Sequence, residues 1–318
     1  MDMAQHSIFA QLPNELVREV FEHAAAADTS SALALSRVAT WVHQLVEPML
    51  YHTVVLSTSR AVTAFVTTLA HKPAPFAPAR VKHLGIFALG PVESIDKAID
   101  ACKGVESLAC GFSLPSYQLL HGSGTVQALE CPREQHLLGL SCRDGWDISL
   151  VGPTVTHLRI HLSAQQTLML SSAVTGRETG RDDFGWNHLS SLASLTHLAI
   201  VFRPSSSCPA TSVLTPIMAL FAPQEIQDEH GAASRPKLAL VLVQVTGSTA
   251  FQTATVEALN TEVIARGGDA LRVVAEAAPS SAASQWEQAV RGGKGVWENA
   301  EGVVRRRLAA QEQASRRD

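Results

Sequence analysis

One six-residue phrase recurs along this chain: an apolar residue, two variable residues, a leucine, one variable residue and a second apolar residue. Its copies are Val81-Lys-His-Leu84-Gly-Ile86, Val105-Glu-Ser-Leu108-Ala-Cys110, Val126-Gln-Ala-Leu129-Glu-Cys131, Val155-Thr-His-Leu158-Arg-Ile160 and Leu195-Thr-His-Leu198-Ala-Ile200. The last two apolar positions lie two residues apart, the period of a strand with one buried face, and the first turns inward just ahead of the strand. Helical periodicity fills the intervals, as in Pro91 to Cys102, where Ile95 and Ile99 share a side and Lys103-Gly104 closes the segment. Strands alternating with helices restrict a chain to a parallel sheet with helices outside it. Leu84, Leu108, Leu129, Leu158 and Leu198 are therefore expected in the core.

The central leucines are 24, 21, 29 and 40 residues apart, whereas leucine-rich repeats keep to about 20–29. The expected fold class is α/β, with an irregular leucine-rich-repeat-like domain over 57–276. Thr53 to Leu56 reads as a strand, followed by a helix carrying Val62, Phe65, Val66 and Leu69 that Pro73, Pro75 and Pro78 end. His136 to Cys142, Lys237 to Val245 and Ala270 to Val274 read as further strands, the last two flanking a helix with Val256, Leu259, Val263 and Ile264 that Gly267 terminates. From 277 onward a long helix is expected: Trp286, Val290, Gly293, Trp297, Ala300, Val304 and Leu308 recur at steps of four and three. Gly292, Gly293 and Gly295 predict a kink or break in it. Its apolar seam suits packing across the end of the repeat array or, second, a partner.

The N-terminal segment, 1–56, has a different pattern. Pro13 suits a first helical turn, and Leu16, Val17, Val20, Phe21 and Ala24 form one stripe while Glu15, Arg18, Glu19 and Glu22 face away. Asp28 to Ser31 are capping types, and a second helix is expected through Leu33, Leu35, Val38 and Val42 until Pro48 interrupts it. The order Leu12-Pro13-x-Glu15-Leu16, Val20-Phe21, Leu33-Ala-Leu35-Ser36-Arg37-Val38, Trp41, Leu45, Pro48-Met-Leu50-Tyr51 resembles the F-box, especially its versions in the expanded F-box families of fungi. It departs from that family at Ala24 to Ala27, where bulkier residues are usual. The resemblance implies a three-helix head that docks on a Skp-type adaptor, which bridges to a cullin-based ubiquitin ligase. Adaptor contacts would then come from Leu12, Pro13, Leu16, Val17, Val20, Phe21, Leu33 and Val38. The competing reading of the same residues is a plain helical cap on the repeats.

Chemistry is harder to find. There is no Gly-x-Ser-x-Gly elbow, phosphate loop or His-Glu-x-x-His zinc motif, and Gly122-Ser-Gly124 is a poor nucleotide loop. His83, His157 and His197 recur immediately before a central leucine, where they are expected to face solvent, and no metal, cofactor or catalytic residue is assigned. Five cysteines, none in Cys-x-x-Cys, read as reduced core thiols. A net charge of −4 gives no footprint for nucleic acid, and no apolar run reaches the roughly eighteen residues of a membrane span. An intracellular protein, cytoplasmic or nuclear, is expected. In the mixed-charge loop 176–187, Arg181, Phe184 and Trp186 are the residue types that dominate binding energy, and they are the candidate contacts for a target protein. The leading expectation is a non-enzymatic substrate receptor of an SCF-type ligase. The alternatives are a repeat scaffold without ligase association and an α/β enzyme with an unrecognised site.

Overall fold

The phrase positions build one sheet whose strands are buried on both faces. The computed structural model describes residues 12–111, 132–138, 151–162, 189, 192–205, 209–221 and 238–316. Within them lie β1 (Thr53–Leu56), β2 (His83–Ile86), β3 (Ser107–Cys110), β4 (Glu134–Leu137), β5 (His157–His161), β6 (His197–Phe202), β7 (Leu240–Val245) and β8 (Val273–Ala277). The eight strands form one sheet in sequence order, every neighbouring pair parallel. The fold is α/β, as the phrase predicts.

One register row crosses the whole sheet: Val54, Leu84, Leu108, Gln135, Leu158, Leu198, Val241 and Val273. Leu84, Leu108, Leu158 and Leu198 are buried as expected, and so are the leading residues Val81, Val105, Val155 and Leu195. The Val126 copy, with Leu129, lies outside the described residues. Its place beside β3 is taken by Glu134–Leu137, which overlaps the expected strand at 136–142 only at its start. Gln135 occupies the leucine position, fully buried, and its Oε1 accepts the Gly152 N–H at 3.2 Å. A buried amide is tolerated there because that bond satisfies it, so a search for leucine alone passes over this strand.

Helices α4 (Ser59–Ala70), α5 (Phe76–Arg80), α6 (Val92–Ala101), α7 (Leu214–Phe221) and α8 (Thr249–Arg266) also belong to this domain. Val62, Phe65, Ile95, Ile217, Leu259 and Val263 join the row residues in one continuous core. Ile264, expected on the core side of α8, is 58% exposed. Adjacent helical residues point about 100° apart, and Val263 takes the inward position. Gly267 and Gly268, with φ of 62° and 57°, reverse the chain after α8. A short 3-10 turn over Gly268–Arg272 then shifts the last strand to 273–277, three residues later than its sequence placement.

The head consists of α1 (Asn14–Ala27), α2 (Thr29–Leu35) and α3 (Thr40–His52). Asp28 caps α2 by accepting the Ser31 N–H at 2.8 Å. Pro48 does not interrupt a helix but lies inside α3. The missing N–H and ring clash cost about 3 kcal/mol, and burial of Val42 and Val46 ahead of the proline, with Met49 and Leu50 packed after it, holds the helix through the defect. Directly after α3 the chain becomes β1, and Lys72 Nζ binds Glu47 Oε1 at 2.5 Å, so no linker separates head from sheet.

The C-terminal segment is two helices, α9 (Ala282–Val290) and α10 (Val296–Ser315), broken at the glycines as expected. They do not cap the end of the sheet. Instead they lie across its second face, α9 over β2 and β3 and α10 over β7 and β8. Small residues on that face admit the two tryptophans: a Cβ on Gly85 would sit 2.4 Å from the Trp286 ring. Trp286 is fully buried there and donates its Nε1–H to Ser107 Oγ at 2.9 Å.

Candidate functional site: an apolar head and a polar sheet face

Helix α1 and the residues just before it leave large apolar side chains in solvent. Leu12, Leu16 and Val20 are 36%, 46% and 49% exposed, and Leu33, Val38 and Trp41 are exposed as well. These six, all within thirty residues, are most of the nine large exposed hydrophobics among the described residues, so the apolar surface is concentrated rather than scattered. Of the other adaptor candidates Pro13 is exposed, Val17 is buried, and Phe21 is half-buried with its ring edge-on to Trp41 at 5.4 Å. The head's fully buried cluster, Ala25, Ala32, Val42 and Val46, is small. The large side chains of the stripe lie outside this small cluster. A groove beside the stripe is lined by Asn14, Val17, Arg18, Trp41, Gln44, Leu45, Pro48 and Arg80. Arg181, Phe184 and Trp186 lie outside the described residues.

The second face of the sheet is polar, and this the sequence reading missed. One register row carries His83, Ser107, Glu134, His157 and His197, and the next carries Gly85, Ala109, His136, Arg159 and Ala199. The histidines expected in solvent are therefore under α9 and α10. His157 and His197 stack almost parallel, 4.1 Å between centroids and 8° between planes, with the Trp297 ring edge-on to both. His83, on β2, is three strands away from His157 on β5.

Hydrogen bonds set the tautomers in this stack. Thr156 Oγ1 donates to Arg133 O, and Thr196 Oγ1 to Thr156 O, both at 3.1 Å, so each hydroxyl can only accept from the following imidazole. Nδ1 of His157 donates at 2.9 Å and Nδ1 of His197 at 2.8 Å. The Nε2 atoms then face outward, that of His197 lying 3.2 Å from Glu301 Oε1. Ligand atoms of His157, His197 and Glu301 lie within 4.8 Å of one another, the one such metal-ligand group among the described residues. Parallel rings put a shared ion off both ring planes, so binding one would require a ring to turn.

Glu134 and Arg159 dominate the charge of this face. Burial pushes the Glu134 carboxyl up, but His136, Trp297 and Ser107 outweigh it and hold it at about 2. Its Oε1 accepts His136 Nε2 at 2.8 Å and Trp297 Nε1 at 2.7 Å. Arg159 is fully buried, and none of its three guanidinium nitrogens has a hydrogen-bond partner. Burial lowers it to about 10, so it stays charged at neutral pH.

Comparison of the chain with protein-family models, curated proteins and solved structures gave no match. The site is thus read from its own atoms. Of the five cysteines, the two described, Cys102 and Cys110, are buried on the helix-covered side, and desolvation raises both thiols to about 12, which makes them inert core residues. No helix among the described residues is long and apolar enough to cross a membrane.

The missed residues did leave a signal. The residues flanking each central leucine include Gly85, Ala109 and Ala199 as well as histidines. Small residues at strand positions facing away from one core mark a face that something else covers, and Trp286 and Trp297 in the C-terminal seam are what covers it.

Proposed function

We propose that this chain is the substrate-recruiting subunit of an SCF-type ubiquitin ligase. Its three-helix head is an F-box that docks on a Skp-type adaptor and through it a cullin. Its sheet domain, leucine-rich-repeat-like but irregular, holds a target protein. The observation that carries the reading is the exposed stripe Leu12, Leu16 and Val20 with Leu33, Val38 and Trp41 beside a small head core. A helical cap that only closed the sheet would turn those residues inward, and leaving them in water forfeits about 1.5–3 kcal/mol per side chain. Interface energy concentrates in a few anchors. The variant Leu12→Ala with Pro13→Ala is accordingly expected to abolish binding to a purified Skp-type adaptor in a direct assay, with the unfolding transition of the sheet domain unchanged. Wild-type protein that does not bind the adaptor, or binding indifferent to the double substitution, overturns the ligase reading in favour of a scaffold.

The cavity beneath α9 and α10 favours a second reading, an α/β unit with ligand chemistry of its own. Charged and hydrogen-bonding groups converge there, but the Ser107 hydroxyl on the same sheet face accepts from Trp286 and hydrogen-bonds the Glu134 carboxylate rather than a histidine base. That arrangement suits holding a ligand better than attacking one.

A further inference from the structure

A cavity of about 310 Å³ lies between the second sheet face and the turn joining α9 to α10, lined by His83, Glu134, His136, Arg159, Gln285 and Trp286, with Trp297 and Gly292 among its other walls. Four of these residues present unsatisfied buried atoms: the Arg159 guanidinium nitrogens, Nδ1 of His83, Nδ1 of His136 and Oε1 of Gln285. Isolated orphans of this kind are rare in folded proteins, and several around one cavity point to something that pairs with them. We infer that this cavity is a binding site for a small organic anion, whose carboxylate or phosphate pairs with Arg159 and whose hydroxyl or N–H group donates to Gln285 Oε1.

Charge and hydrogen-bond bookkeeping specifies the ligand. A buried guanidinium without a contacting counter-ion is strongly destabilising, and its planar fork matches the two oxygens of a carboxylate or phosphate. Glu134 does not fill that role: its Oε1 is already taken by His136 and Trp297, and no carboxylate among the described residues forms an ion pair with Arg159. His136 gives its Nε2–H to Glu134 and its Nδ1 is left without a partner, while Gln285 Oε1 is a buried acceptor left without a donor. The ligand therefore carries a donor as well as a negative charge, and the Trp286 and Trp297 rings supply apolar walls for its carbon skeleton. The strap that closes over it contains Gly292 at φ 89°, a turn position with open space around it, which leaves room for an entry route.

The test uses the full chain and three probes, sodium L-malate, sodium succinate and inorganic phosphate, against sodium chloride at matched ionic strength. Thermal unfolding and calorimetric titration are the readouts. Malate, which carries both the charge and the donor, is expected to raise the unfolding midpoint by about 5 °C at saturation, and succinate, lacking the hydroxyl, by less. A response to phosphate exceeding that to malate assigns the anionic group as phosphate. Arg159→Met is expected to fold, since replacing an unpaired buried charge by an apolar side chain of similar length is neutral or stabilising, and to lose every shift. Ala289→Phe, which fills the cavity from α9 and leaves Arg159 in place, is expected to lose them too. No shift with any probe on wild type, or shifts that survive in both variants, overturns the site. Adaptor binding by the head is independent of either outcome, so failure here and failure of the ligase reading are distinguishable.

Discussion

The head and the sheet use the same residue types in opposite ways. In the sheet, leucines at phrase positions are sealed between strands and helices, and even the reverse face is covered, by α9 and α10. In the head, leucines and valines of similar pattern stand in water around a cluster of alanines and valines. Polar groups show the inverse: the head keeps its capping Asp28 exposed, while the sheet buries Gln135, His136 and Arg159. Apolar periodicity therefore does not by itself say whether a stripe is covered by this chain; only the surroundings do.

The largest effect expected from this contrast is at Leu198, which is fully buried in the row that crosses the sheet. Leu198→Ala is expected to lower the unfolding free energy by about 2–5 kcal/mol in urea titration. A loss below about 1 kcal/mol would mean the sheet core is as loosely held as the head.

Acidification should separate the two regions next. Burial holds His83, His157, His161 and His197 below 6.5, opposed by Glu301 at His197, and His161 falls to about 4. Folded neutral and unfolded protonated, these groups contribute stability that is complete above pH 6.5 and is lost as pH falls from there toward 4. For His161 alone the loss is on the order of 3 kcal/mol. Glu134 adds a second loss, as pH drops from 4.5 to about 2. Hydrogen exchange across pH 7 to 4.5 is expected to show β5 and β6 losing protection first; loss beginning in the head would break the contrast.

The smallest expected effect is in the head. Leu16→Ala removes a side chain that is already 46% exposed, so the isolated protein should change by no more than about 0.5 kcal/mol. Adaptor affinity, by contrast, is expected to fall, and that split between stability and binding is what distinguishes an anchor from a core residue. A loss of stability comparable to that of Leu198→Ala would place Leu16 in an internal core.

Much of this molecule was legible in its sequence. A period of two around a recurring leucine determines strands with a buried side, the intervening helices determine that the strands run parallel, and Gly292 to Gly295 determine where the C-terminal helix breaks. Those are local properties, set by side chains a few residues apart. What lies against the other side of a strand is not local. The descent of Trp286 onto Gly85 and the covering of three histidines and Arg159 depend on partners between about 100 and 200 residues away, and Gln135 in place of leucine depends on a bond to the loop at Gly152. Sequence spacing showed that His83, His157 and His197 share a position in the phrase and so share a face. Tertiary structure alone decided that this face is covered, because coverage is a property of the helix that arrives, and the strand's own pattern is the same with water or with tryptophan above it.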